Sequence, residues 1–154
     1  MVSMVPKATF FDSPAVMRAA DASTRKVLSQ FGAFVRTRSR SSIRRRRAVS
    51  KPGAPPSSHA GHLKRLIFFA YDPAVRSVVI GPTPFRGTAE APPLLEEGGT
   101  ALATYSRPVE LWTGERTFVR RGQTLRYQPR PFMGPAFQAE LPGLPAMWRD
   151  SIRG

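Results

Sequence analysis

Seven arginines and no acid stand in the twelve residues Arg36-Thr37-Arg38-Ser39-Arg40-Ser41-Ser42-Ile43-Arg44-Arg45-Arg46-Arg47. A guanidinium engages phosphate or carboxylate through two parallel hydrogen bonds, whereas a lysine acts as a point charge. Like charges this dense repel one another unless something anionic faces them. Arg36, Arg38, Arg40, Arg44, Arg45, Arg46 and Arg47 are therefore expected to form a basic surface facing a partner or DNA, rather than a solvated helix end. Readout of base sequence is not expected, because no helix-turn-helix, zinc finger or aromatic-studded sheet motif delivers side chains to base edges.

Other groups that could do chemistry are few. His59 and His62 lie three apart in a Ser/Gly loop with no acid near them in sequence, and read as solvated loop residues rather than metal ligands. Glu96-Glu97 is the one adjacent carboxylate pair. Acid/base catalysis needs two carboxyls facing one pocket, which chain neighbours rarely do. An ion pair from one of them to an arginine is expected instead, with Gly98-Gly99 turning the backbone sharply. Gly53, Gly61, Gly81 and Gly98-Gly99 form neither a P-loop nor a dinucleotide fingerprint, and there is no nucleophile elbow. With no cysteine, thiolate nucleophiles, disulfides and Cys-rich zinc sites are excluded. The expectation is a protein with no catalytic residue, no cofactor and no metal.

The elements that position the arginines follow from composition. The 154 residues suit a single domain, 1–154. The net charge of +14 is uneven: residues 25–65 hold 12 basic side chains and no acid, and the remainder carries 12 basic and 10 acidic. No window is apolar enough for a membrane span, and Met1 to Ala20 lacks the pattern of a secretory signal, so synthesis in the cytoplasm is expected. A hydrophobic content of 41% with 10 Phe argues for a packed core, while 16 Pro implies many turns.

Only Pro6 and Pro14 precede Pro52, which leaves the N-terminal third free for a helix. Asp12 and Ser13 can cap it at Pro14. Val16, Ala20, Val27, Phe31, Phe34 and Val35 then recur at three- and four-residue steps, which predicts an amphipathic helix over 14–36, extending as a basic end to 47 without a core of its own. Residues 48–62 read as a Pro/Ser/Gly loop. An antiparallel sheet with long loops is expected over 63–128, with one hairpin from 66–71 and 75–80 and another from 109–112 and 117–120. Pro82 to Gly99 and Tyr105 to Pro108 read as extended segments reaching neighbouring copies. In the C-terminal segment 129–154, Pro142 and Pro145 forbid one helix and predict two short ones, anchored to the sheet by Phe132, Phe137 and Trp148. The fold class is α+β: a long N-terminal helix packed on a small antiparallel β-sheet, with short C-terminal helices.

The order of these segments resembles that of tail-completion and neck proteins of tailed bacteriophages, most nearly the group related to the lambda minor tail protein Z. The residues concerned are the Arg/Ser-rich helix end, Ser50-Lys51-Pro52-Gly53-Ala54-Pro55-Pro56, Gly61-His62-Leu63-Lys64-Arg65-Leu66-Ile67, Val79-Ile80-Gly81-Pro82, Pro93-Leu94-Leu95-Glu96-Glu97-Gly98-Gly99 and Arg130-Pro131-Phe132-Met133-Gly134-Pro135-Ala136-Phe137. The run Arg44 to Arg47 is denser than that pattern. The resemblance implies a structural virion protein with no catalytic residues, a homo-oligomeric ring at the neck or head-proximal end of the tail. Its expected partners are itself and the neighbouring neck, portal-side and tail proteins, with genomic DNA in the channel contacted non-specifically and no membrane. For the arginine run, docking on an acidic protein ring is favoured over gripping a genome that must be released. The rival is a small basic RNA- or DNA-binding protein that uses Arg36 to Arg47 on phosphate.

Overall fold

The computed structural model describes residues 13–83 and 91–151. The expected cap at Asp12 and residues 84–90 of the Pro82 to Gly99 segment lie outside them. The protein is α+β. A 30-residue helix α1 (Ser13–Ser42) packs on an antiparallel hairpin of β1 (Ile67–Asp72) and β2 (Ser77–Pro82), after the short α2 (His62–Arg65). Then come α3 (Ala91–Glu97), β3 (Gly99–Leu102), β4 (Arg107–Glu110), β5 (Arg116–Val119) and β6 (Thr124–Tyr127). The chain ends in α4 (Met133–Glu140), a 3-10 turn (Leu141–Gly143) and α5 (Leu144–Ser151), the pair of short helices that the prolines imply.

Helix α1 buries a single stripe, because Val27, Phe31, Val35, Ser39 and Ile43 follow one another at four-residue steps. Val16 and Phe34, read from the sequence as part of the stripe, stay exposed. The helix stops at Ser42, short of the expected 47. There the hydroxyls of Ser41 and Ser42 donate to the carbonyls of Arg38 and Ser39, both at 2.8 Å, and occupy the acceptors of the last turn. Ile43 is nevertheless wholly buried, against Ile67 and Phe132, so the region beyond Val35 does enter the core. A second cluster joins Phe31 and Val35 to Ala136, and Met133 touches both.

Close approach of α1 to the hairpin depends on Gly32. A Cβ there would lie 2.8 Å from Val78 Cγ2 and 2.9 Å from Phe69 Cδ2. Alanine at an exposed helix position is about 1 kcal/mol better than glycine. Here the overlap reverses the sign, and Gly32→Ala is expected to destabilise by about 1 kcal/mol in a urea denaturation series.

The hairpin alternates strictly. Ile67, Phe69 and Tyr71 lie across from Pro82, Ile80 and Val78 on the face that meets α1, while Phe68, Ala70 and Val79 line the outer face. Asp72 accepts the Ala74 N–H at 2.9 Å and shapes the turn.

In place of a wholly extended loop from Pro82 to Gly99, residues 91–97 form α3. Prolines at its second and third positions are compatible with this, since the first turn has no intrahelical donors to lose. Gly98 (φ 77°) and Gly99 (φ 134°) then turn the chain into β3, and a Cβ on Gly98 would sit 2.9 Å from the Tyr127 carbonyl oxygen. From there residues 99–127 double back as one ribbon. β3 pairs with β6 and β4 pairs with β5, both antiparallel, and the bonds Ala103 N–H to Gln123 O (2.9 Å) and Gly122 N–H to Ala103 O (2.8 Å) join the two ladders. The strands thus form three two-stranded sheets rather than one. The ribbon makes no substantial contact with α1, β1 or β2.

Candidate functional site

The seven arginines separate into two groups. Arg36, on the hairpin side of α1, donates from Nε to the Ile67 carbonyl oxygen at 2.8 Å, with its guanidinium 5.8 Å from the centre of the Phe68 ring. Arg38 is ion-paired with Glu140 at the end of α4. These two hold α1 to β1 and to α4, and do not belong to a free basic surface. Arg40 is half-buried in the last helical turn, and Arg44, Arg45, Arg46 and Arg47 are exposed beyond it. None of these five is ion-paired among the described residues.

The loop that carries Arg44 to Arg47 is pinned rather than adrift. The Ser58 N–H donates to the Arg44 carbonyl at 3.1 Å, and Arg46 Nε donates to Ser57 Oγ at 2.8 Å. Further along, the Gly53 N–H donates to the Pro129 carbonyl at 2.8 Å, and Arg130 Nε donates to the carbonyl of the buried Ser50 at 2.9 Å. The loop is thereby tied to residues 129–130, which follow directly on β6.

At that root a second cationic group begins. Arg120, Arg121 and Arg126 are exposed on the ribbon with no side-chain partner among the described residues. Nearer the tip Arg107 lies 5.0 Å from the centre of the Tyr105 ring, and Arg116 faces Glu110 at 3.9 Å, too long and too exposed to add much. In the sequence these residues belong to the near-neutral remainder. Folding ties the residues just after β6 to Ser50 and Gly53 of the loop, through bonds that no local pattern announces.

The expected anchors differ from one another in role. Phe132 is buried between Ile43 and Ile67, and so reaches β1. Phe137 is partly exposed and meets Phe31 of α1 edge-to-face, ring centres 5.5 Å apart. Trp148 is half-buried on α5, an element that packs on α1 and not on the sheet. Glu96 is ion-paired with no arginine among the described residues; its carboxylate accepts the N–H groups of Phe132 (2.9 Å), Met133 (3.0 Å) and Gly134 (2.6 Å), the start of α4. Helix α4 has no side-chain cap of its own, so a residue 36 positions earlier supplies it.

Beside the β1–β2 turn an open cleft of about 630 Å³ is lined by Asp21, Arg25, Lys26, Tyr71 and Arg76 among others, with Arg76 paired to Asp21 at 3.0 Å. His59 is exposed in its loop and His62 opens α2. Among the described residues no three His, Cys, Asp or Glu side chains gather into a cation site, and no helix is long and apolar enough to cross a membrane. No family model, no curated protein and no solved structure matches the chain.

Proposed function

We propose that this protein is a non-catalytic structural component of a tailed phage virion, self-assembling into a ring at the neck or head-proximal end of the tail and joining head to tail. The observation that carries the self-assembly is the outer face of the β1–β2 hairpin. Val79 (65% exposed) and Phe68 (47%), the latter with the Arg36 guanidinium over its ring, face outward on a hairpin that pairs with no further strand among the described residues. Such a face and such edges suit addition of a strand or a sheet from a neighbour, and a second copy is always at hand at the same concentration. The order of motifs along the chain supports the neck as the place. The neighbouring portal-side and tail proteins are the further partners in this reading.

The test begins with native mass spectrometry of the purified chain. Assembly is expected to grow as salt is raised, because copies of charge +14 repel one another and salt screens that repulsion while apolar contacts persist. Val79→Glu is expected to leave a folded monomer. In a phage lacking the protein, full heads and unattached tails are expected to accumulate. A wild-type chain that stays monomeric at every salt concentration would overturn self-assembly, and normal joined particles without the protein would overturn the neck role.

A further inference from the structure

We infer that the ribbon of residues 99–127 and the Arg44–Arg47 loop at its root form one surface for duplex DNA, which they contact through phosphates without reading sequence. This goes beyond ring assembly and does not depend on it. The ribbon buries almost nothing: Val119 is its one fully buried side chain, whereas Leu102, Tyr105, Leu111, Trp112 and Phe118 are all exposed. The ribbon thus presents exposed aromatics together with guanidiniums that have no ion partner among the described residues.

Three features of that surface point to a duplex. First, the free cations are strung out rather than gathered opposite one spot. Arg126 lies near the root, in β6, while Arg120 and Arg121 stand further along at the turn between β5 and β6, where the Gln123 N–H donates to the Arg120 carbonyl at 3.1 Å. Second, a two-stranded ribbon has the width that the major groove admits. Third, the loop that leaves α1 carries Arg44, Arg45 and Arg47 exposed and without an ion partner among the described residues, and its later residues Ser50 and Gly53 are bonded to Arg130 and Pro129, just beyond the ribbon. An acidic protein would need its carboxylates spaced along the same length, while a duplex presents phosphates at that spacing on any sequence. Phe118 and Trp112 then face the sugars, where apolar contact is independent of sequence.

Fluorescence anisotropy of a labelled mixed-sequence duplex, titrated with the full chain across a salt series, tests this. The triple variant Arg120→Gln, Arg121→Gln, Arg126→Gln is expected to lower the slope of log K against log salt by about 2 to 3, and the loop variant with Arg44 to Arg47 changed to Gln by about 3 to 4. A control removing the same charge elsewhere, Arg18→Gln, Arg25→Gln, Arg149→Gln, is expected to change the slope by less than about 1. Unchanged circular dichroism confirms that the variants fold, and native mass spectrometry of each reports assembly separately from DNA binding. The inference is overturned if the ribbon variant keeps the wild-type slope, if the control loses as much, if single-stranded DNA binds more tightly than duplex, or if poly-glutamate of equal charge competes as well as DNA.

Discussion

Phe132→Ala is expected to lower stability by about 3 to 5 kcal/mol, the cost of removing a large buried aromatic and leaving its cavity. The position warrants the upper part of that range. Phe132 is 1% exposed, and its neighbours Ile43 and Ile67 are fully buried. These three come from the residue after α1, from the first residue of β1 and from the residue before α4, so no single element can shift to close the gap. A fall in melting temperature on the order of 10 °C follows for a chain of this size. Phe137→Ala and Trp148→Ala should lose less, since both side chains are partly exposed. Thermal and urea denaturation of the three variants checks the order. If Trp148→Ala proved the most damaging, the core would not be centred where Ile43, Ile67 and Phe132 meet.

Glu96→Ala is expected to cost about 2 to 3 kcal/mol, because hydrogen bonds to a charged acceptor are worth more than neutral ones and the donors left behind include that of a buried residue. Its carboxylate accepts all three N–H groups at the start of α4, and the helix macrodipole favours a negative charge there. Glu96→Gln keeps one acceptor oxygen and should fall between. The exposed Glu97, one residue on, serves as the comparison, and Glu97→Ala should stay within about 0.5 kcal/mol of wild type. Amide hydrogen exchange gives the specific readout: Phe132, Met133 and Gly134 should exchange faster in Glu96→Ala and unchanged in Glu97→Ala. Equal protection in both would show that α4 does not rely on this carboxylate.

The arginine run shows how far residue type alone carries an argument about a surface. Composition locates the positive charge, but a guanidinium serves equally well as a staple or as a contact for a partner. Arg36 acquires its role from the Ile67 carbonyl, 31 positions away, and Arg38 acquires its role from Glu140, 102 positions away. Arg44, Arg45 and Arg47 have no such side-chain partner among the described residues, because the chain leaves the helix at Ser42 and leaves them exposed, while Arg46 reaches only Ser57. The same applies to Glu96, whose neighbours in sequence include no α4 residue.

What the sequence by itself determined is everything that has a period or a punctuation mark: a helix through the four-residue stripe at Val27, Phe31 and Val35, two hairpins, expected at 66–80 and 109–120 and found at 67–82 and 107–119, and two short C-terminal helices divided around Pro142. These follow from short-range sterics and from which residues can share a face, and they suffice for the α+β layout. The tertiary structure alone decided the pairing of β3 with β6, the burial of Ile43, the capping of α4 by Glu96 and the division of the arginines into structural and free. Each of these joins groups tens of residues apart. Such contacts leave no local period, because the free energy that selects them is that of desolvation and hydrogen bonding in the assembled core.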